Sequence, residues 1–201
     1  MRKCFISFKK EDKRYKDFLV EKLGSESFVD KTLDRTINSL DGDYVMQVIR
    51  RDYLCDSTVT LFLIGTHSSE LEGQDAYGDK NFFIKRELAA SCFNGPGNTR
   101  NGILGVVLPN MYDKVYKGTY SCSTCGQIHS FVEIGDSTTI REFSANYYTQ
   151  PHYGCSWKED ERYCILVKWD DFLIASEKYI EMAFDKRFSP VADKIRIRNL
   201  R

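Results

Sequence analysis

Two pairs of soft metal ligands are the residues whose types and spacing suggest chemistry most directly. Cys122 and Cys125 form a Cys-x-x-Cys pair followed by Gly126, and His152 and Cys155 form a second pair with the same separation. Two such pairs are the layout of a structural zinc site, in which thiolate and imidazole ligands surround the ion tetrahedrally. The sequence therefore predicts a structural zinc site made by Cys122, Cys125, His152 and Cys155.

Other interpretations of the cysteines remain open from the sequence. The gap between the two pairs is longer than in compact zinc fingers, and His129 and Cys164 are competing ligands. Buried thiols that bind no metal are the alternative. The chain has seven cysteines, an odd number, and its first residues contain no long apolar stretch that resembles a signal peptide. We therefore expect free thiols or metal ligands in a reducing cytoplasm rather than disulfides.

The rest of the sequence alternates between short apolar runs and segments of helical periodicity. A continuous apolar run such as residues 59–64 is typical of a central strand covered on both faces. We predict strands at 4–8, 28–29, 58–64, 103–108 and 163–168, helices at 15–23, 45–53, 82–93 and 170–188, and a short edge strand at 194–198. This order is typical of an α/β fold with a mostly parallel five-stranded sheet and helices on both faces.

The alternation breaks between residues 110 and 160. This stretch is rich in Tyr, Ser, Thr, Gly and Cys, shows no helical periodicity and contains the predicted zinc ligands. The length of 201 residues exceeds the roughly 150 residues of a common domain without reaching two. We therefore predict a single domain over residues 1–201, with an insertion at about 110–160 before the last strand.

The charge balance argues against several classes of partner. Lys and Arg together number 29, and Asp and Glu also number 29. No net field therefore attracts the chain to nucleic acid or to a membrane surface. The most apolar run, residues 59–64, is far shorter than the roughly 20 residues of a membrane-spanning helix. We predict a cytoplasmic protein that binds neither a membrane nor nucleic acid.

The carboxyl ends of parallel strands are where open α/β sheets bind ligands, so the predicted site lies in the loops after strands 4–8, 28–29 and 58–64. The first of these loops has Lys9 and Lys10 where dinucleotide-binding folds have glycines that approach a pyrophosphate. The loop after residue 64 begins with glycine and threonine, where a phospho-receiver domain carries an aspartate. Both of these functions are therefore disfavoured.

Three segments of the chain resemble a known family. Residues 3–8 (Lys-Cys-Phe-Ile-Ser-Phe) with Asp12, residues 60–66 (Thr-Leu-Phe-Leu-Ile-Gly-Thr) and residues 83–88 (Phe-Ile-Lys-Arg-Glu-Leu) resemble the TIR domain in their order and spacing. More narrowly, they are similar to the TIR-like proteins of the bacterial Thoeris anti-phage system. The resemblance covers about residues 3–108 and, in outline, the last strand and helix. It implies a flavodoxin-like, TIR-like three-layer sandwich.

The resemblance also implies an enzymatic activity. Members of the family cleave NAD between ribose and nicotinamide, and in the Thoeris setting they produce a cyclic or modified ADP-ribose signal that activates an effector protein. Glu87 matches the catalytic glutamate, and Phe83 matches an aromatic residue that is usually Trp. These two positions share a helix face because they are four residues apart. Nicotinamide is already a cationic leaving group, so one carboxylate suffices to stabilise the oxocarbenium-like transition state.

Four further residues are implied as contacts of the substrate. Ser7 and Phe8 end the first strand, Asp30 follows the second, and Thr66 follows the third. Ser, Asp and Thr are also common at such positions for local hydrogen bonding alone. Phe8 is equally suited to the hydrophobic core.

Competing functions remain open from the sequence. Glu87 has an alternative interpretation as a solvated helix residue beside Lys85 and Arg86, since exposed glutamates are ordinary. A TIR interaction module that self-associates without catalysis is one alternative to the enzyme, and a nucleotide-binding sensor is another. For the enzyme, linear ADP-ribose, a cyclic isomer and an adduct are all compatible products.

Overall fold

The computed structural model describes residues 2–28, 42–75, 78–95 and 98–198. Its longer strands are β1 (Cys4–Ser7), β2 (Val59–Ile64), β3 (Gly102–Val107), β4 (Tyr116–Ser121), β5 (Ile128–Val132) and β6 (Ile165–Lys168). Its α-helices are α1 (Lys13–Leu23), α2 (Gly42–Val48), α3 (Phe82–Cys92), α4 (Tyr112–Val115), α5 (Arg141–Tyr147), α6 (Trp169–Ile174) and α7 (Ser176–Lys186). Two-residue strands at Gln74–Asp75 and Gly78–Asp79 pair with each other.

The central sheet is parallel and contains β1, β2, β3 and β6 in that order. β2 is buried along its whole length because its alternate side chains face two helical layers. Val59, Leu61 and Leu63 pack in the layer of α1, α6 and α7, whereas Phe62 and Ile64 pack in the layer of α3 and α5. The prediction of an α/β fold with a mostly parallel sheet is confirmed.

The predicted fifth strand at residues 28–29 falls at the boundary of the described chain. Phe28 forms an isolated parallel bridge with Cys4 of β1, and residue 29 lies outside the described residues. Within the described ranges, the central sheet therefore has four strands.

The predicted edge strand at residues 194–198 is wrong. Pro190–Lys194 forms a 3-10 helix, and the residues after it have no strand partner among those the structure describes. The backbone of Arg196 instead forms two hydrogen bonds with the side chain of Asn146 on α5. Alternation of basic and apolar residues resembles a strand, but the tail lies against a helix that offers no ladder of backbone groups.

Two of the predicted helices differ from the observed ones in their limits. The helix predicted at 170–188 divides at Ala175, whose backbone is not helical, into α6 and α7. The helix predicted at 45–53 lies within α2 and the π-helical turn Ile49–Leu54 that continues it. Among the residues with a described position, no helix combines the length and the apolar character needed to cross a bilayer.

The segment at 110–160 contains the antiparallel hairpin of β4 and β5 and the helix α5. The sequence predicts no helix in this stretch, because a helix of seven residues is too short to produce a clear helical periodicity. Phe143 of α5 is fully buried and lies 5.7 Å from the ring of Phe62 in β2. Its ring occupies the space over Gly105 of β3, where an added Cβ would lie 2.5 Å away. α5 therefore belongs to the core of the sheet, and the assignment of the chain to one domain stays a prediction.

We expect Phe143→Ala to lower the free energy of unfolding by about 3–5 kcal/mol, because it empties a closely packed position between α5 and the sheet. Phe131→Ala is the matched control, since Phe131 on β5 is 47% exposed, and we expect it to cost less than about 1 kcal/mol. Urea denaturation of both variants measures the difference. Equal, small losses would show that α5 is not part of the core.

Candidate functional site

Glu87 lies beside the carboxyl end of β1. β1 ends at Ser7, and α3 runs back across the sheet after the loop that follows β2. The hydroxyl of Ser7 donates a hydrogen bond of 2.6 Å to Oε2 of Glu87. Two of the predicted site residues, 80 positions apart in the chain, are therefore in direct contact.

The carboxyl group of Glu87 is desolvated. The residue is 6% exposed, so the interpretation of Glu87 as a solvated helix residue is wrong. Burial raises the pKa of Glu87 to about 7, and the hydrogen bond from Ser7 acts in the opposite direction. A buried carboxyl group with a pKa near the working pH is common at catalytic sites.

The two residues before Glu87 are also buried, and each has a different partner. Nζ of Lys85 lies 3.1 Å from Oε1 of Glu70, in an ion pair shielded from solvent. The guanidinium of Arg86 lies over the ring of Phe82, 3.4 Å from its centroid, and donates to the Phe82 carbonyl. Glu87 forms no ion pair with another of the described residues.

The structure records other partners for the remaining described residues among the predicted substrate contacts. Phe8 packs in the layer of α1 and α6, on the opposite face of the sheet from α3. Phe83 is half-buried, lies edge-on to Phe82 at 5.2 Å between centroids and packs with the core beneath α2. Thr66 accepts a hydrogen bond of 2.8 Å from Asn110. Asp30 lies outside the described residues.

A second buried carboxylate, Asp12, lies at the same edge of the sheet. Its side chain covers Gly65 at the end of β2, where an added Cβ would lie 2.1 Å from Oδ2 of Asp12. That oxygen has no hydrogen-bond partner among the described residues. Burial raises the pKa of Asp12 to about 6. Asp12 has no role assigned from the sequence, and the signal that could have identified it is the glycine at the end of β2, which leaves room for a side chain from another loop.

A cluster of metal-ligand side chains lies at the tip of the β4–β5 hairpin. The ligand atoms of Cys122, Cys125, His129 and Cys155 all lie within 4.8 Å of one another. The turn between the strands is closed by a hydrogen bond of 2.8 Å from the amide of Gly126 to the Cys122 carbonyl. Gly126 has a φ of 71°, which glycine adopts without strain. This turn places the first two sulfur atoms on the same side of the loop.

The prediction of His152 as the fourth ligand is wrong. Its ring stacks on Trp157 at 3.9 Å between centroids, outside the cluster. His129 takes its place, with Nε2 at 3.0 Å from Sγ of Cys125 and at 3.3 Å from Sγ of Cys155. Cys164, the other competing ligand, is buried in the core. Hairpin pairing brings His129 back over the turn, which spacing along the chain does not reveal.

The backbone around Cys122 favours a thiolate. Amide groups of Cys125 and Thr124 donate to its sulfur and lower the pKa of Cys122 to about 6. Hydrogen bonding to Cys125 and burial raise the pKa of the Cys155 thiol. Metal ligation requires deprotonated sulfur. Three sulfur atoms and one imidazole nitrogen at these distances form a set that could bind a metal ion.

We expect Glu87→Gln to weaken the loss of stability with rising pH. The folded-state pKa of about 7 lies above the ordinary value of 4.5, so the unfolded chain releases this proton first. The contribution of Glu87 to folding is therefore present in full below pH 4.5 and is lost as the pH rises to about 7. The lost stability is on the order of 3 kcal/mol.

Urea denaturation at pH values below and above this window measures the effect in both proteins. Glu21→Gln, at an exposed position of α1, serves as the control and should keep the wild-type pH dependence. An identical pH dependence in Glu87→Gln and wild type would contradict the assignment of a raised pKa to Glu87.

For the metal cluster, we expect His129→Ala to weaken metal binding by on the order of tenfold or more, because it removes one of four ligands. His152→Ala is the matched control and should retain the wild-type affinity. Chelator competition and metal analysis of the purified proteins measure the difference. Far less than one ion per wild-type chain, or equal losses in both variants, would contradict metal binding by this cluster.

Comparison with known proteins gives no match to this chain. No family model, no curated protein and no solved structure is similar to it. The geometry of the two sites and the short motifs of the sequence are therefore what supports a function for this chain.

Proposed function

We propose that this chain is a TIR-like enzyme that cleaves NAD at the bond between ribose and nicotinamide, with Glu87 as the catalytic carboxylate. The observation that carries the proposal is the buried carboxyl group of Glu87, which receives a hydrogen bond of 2.6 Å from Ser7 at the carboxyl end of β1. Both residues belong to the segments that resemble the TIR domain, and ligands of open α/β sheets bind at this edge.

The chemistry requires little more than one well-placed carboxylate. When the glycosidic bond breaks, nicotinamide leaves as a neutral molecule and positive charge develops on the ribose. An ionised Glu87 in a desolvated setting stabilises that charge strongly. Ser7 holds the carboxylate in one orientation and favours its ionised form. The cationic substrate also favours ionisation, because an opposite charge nearby lowers the pKa of a carboxyl group.

The finer details of the fold form part of the same proposal. The bridge between Cys4 and Phe28 supports a fifth strand beside β1. A strand at that position would give the flavodoxin-like order that the TIR resemblance implies. We further propose that, as in the Thoeris system, the product is a cyclic or modified ADP-ribose that activates an effector protein in anti-phage defence. Self-association of the chain accompanies this activity. All seven cysteines are free, which fits the proposed cytoplasmic location.

We also propose that the cluster of Cys122, Cys125, His129 and Cys155 holds a structural zinc ion. Three thiolates and one imidazole match the closed ligand sets of structural zinc sites, which leave no position open for a reactant. The cluster lies on an exposed hairpin, and zinc would cross-link this hairpin to the loop that carries Cys155.

The proposed reaction predicts release of free nicotinamide when the purified protein is incubated with NAD, alone or with an extract of phage-infected cells. We expect Glu87→Gln to reduce the rate by at least about a hundredfold, because the variant keeps the shape of the side chain and loses its charge. Glu21→Gln is the control for an exposed glutamate and should retain the wild-type rate. Mass spectrometry of the product identifies it as linear, cyclic or an adduct.

The outcomes separate the proposed enzyme from the alternatives. Absence of nicotinamide release under both conditions, or equal release by wild type and Glu87→Gln, would overturn the catalytic assignment. Binding of NAD without turnover would favour a nucleotide sensor. Self-association with neither binding nor turnover would favour an interaction module.

A further inference from the structure

A cavity of about 510 Å³ lies at the amino end of β3, beyond both sites described above. One wall is the loop before β3, which contributes Thr99 and Arg100, and the other is the end of α7 with the turn that follows it. Ser7 and Glu87 lie instead by the carboxyl end of the parallel strands. The cavity is therefore separate from the proposed NAD site, and its volume falls within the range of small-molecule sites.

Two guanidinium groups line this cavity, and neutral groups hold both of them in place. Nε of Arg187 donates to the Arg100 carbonyl at 2.7 Å, and a terminal nitrogen of Arg187 donates to the hydroxyl of Thr99 at 3.2 Å. Arg100 donates to the carbonyl of Ala192. Neither arginine has a carboxylate within ion-pairing distance in the part of the chain that the structure describes.

Two fixed positive charges without a counterion favour an anionic ligand. Arginine matches the oxygen geometry of phosphate, and its planar group forms paired hydrogen bonds with two oxygens. Burial lowers the pKa of Arg187, but the guanidinium of arginine stays charged at neutral pH. The partial burial of the group strengthens its attraction to an anion, since water screens it less.

The remaining lining residues add recognition for the rest of a nucleotide. The ring of Phe188 lines the cavity and is 74% exposed. The guanidinium of Arg187 lies 5.3 Å from its centroid, and the exposed remainder of the ring can stack with a planar base. Asp193 also lines the cavity and is exposed. Its carboxylate repels a phosphate beside it, but it accepts hydrogen bonds from ribose hydroxyls, as acidic residues do in dinucleotide-binding folds.

We propose that this cavity binds a nucleoside monophosphate, with the phosphate between Arg100 and Arg187, the ribose toward Asp193 and the base on Phe188. The site is independent of the reaction proposed at Glu87, because none of its residues takes part in that reaction.

Calorimetric titration of the full chain with AMP, adenosine and inorganic phosphate tests the site. We expect saturable binding of AMP, with adenosine and phosphate each weaker by about tenfold or more, because each lacks one half of the contacts. Arg187→Gln should weaken AMP binding by about tenfold or more. Lys178→Gln is the control, because it removes one charge from an exposed position of α7. It should leave the affinity for AMP within about twofold of the wild-type value.

A second pair of variants keeps the test independent of folding. Phe188→Ala and Asp193→Asn change exposed side chains. Phe188→Ala should weaken AMP several-fold without changing the affinity for phosphate, whereas Asp193→Asn removes the carboxylate that repels phosphate and should tighten phosphate binding. Absence of saturable AMP binding, or unchanged AMP affinity in Arg187→Gln, would overturn the site. Phosphate binding as tight as AMP would overturn the nucleoside part of the proposal. Loss of AMP binding in Arg187→Gln reports on this cavity, and loss of nicotinamide release in Glu87→Gln reports on the proposed NAD site, so failure of the NAD assay and failure of this proposal are distinguishable.

Discussion

The burial of three consecutive charged residues on α3 is the constraint on which much of the structure depends. Lys85, Arg86 and Glu87 are all buried, because α3 lies against the sheet with α2 and α5 packed around it. A buried charge that loses its partner costs several kcal/mol. The surrounding elements must therefore supply partners, and they do so with Glu70 in the loop after β2 and with Ser7 at the end of β1.

The need for partners of buried charges extends to Arg198, the last of the described residues. Glu70 pairs with Lys85 and also with Arg198, which in turn lies 2.7 Å from Glu142 on α5. One network therefore joins α3, the loop after β2, α5 and the tail, and its members other than the partly exposed Arg198 are buried. The β4–β5 hairpin is different, since most of its side chains are exposed. An isolated hairpin is only marginally stable, so a metal ion at its tip would supply the cross-link that burial does not.

The sequence predicted the elements with strong periodicity and missed those that depend on contacts between distant segments. β2 was predictable because a short, continuous apolar run is typical of a central strand that is covered on both faces. α5 was not predictable, because so short a helix has too little hydrophobic periodicity to reveal which face is buried. The contact of Phe143 with Phe62 in the sheet identifies that face. At the metal cluster, the Cys-x-x-Cys pair was predictable from local spacing, whereas the choice of His129 over His152 depended on hairpin pairing.

Residue types and local spacing alone determined that the chain forms an α/β fold and that Cys122, Cys125 and Cys155 are candidate metal ligands. Only the resemblance to the TIR domain singled out Glu87. Tertiary structure decided that Glu87 is desolvated and bonded to Ser7, and that Asp12 lies over Gly65. The physical reason is that a pKa depends on the solvent and charges around a group. Those surroundings come from residues far away in the chain, so they exist only once the chain has folded.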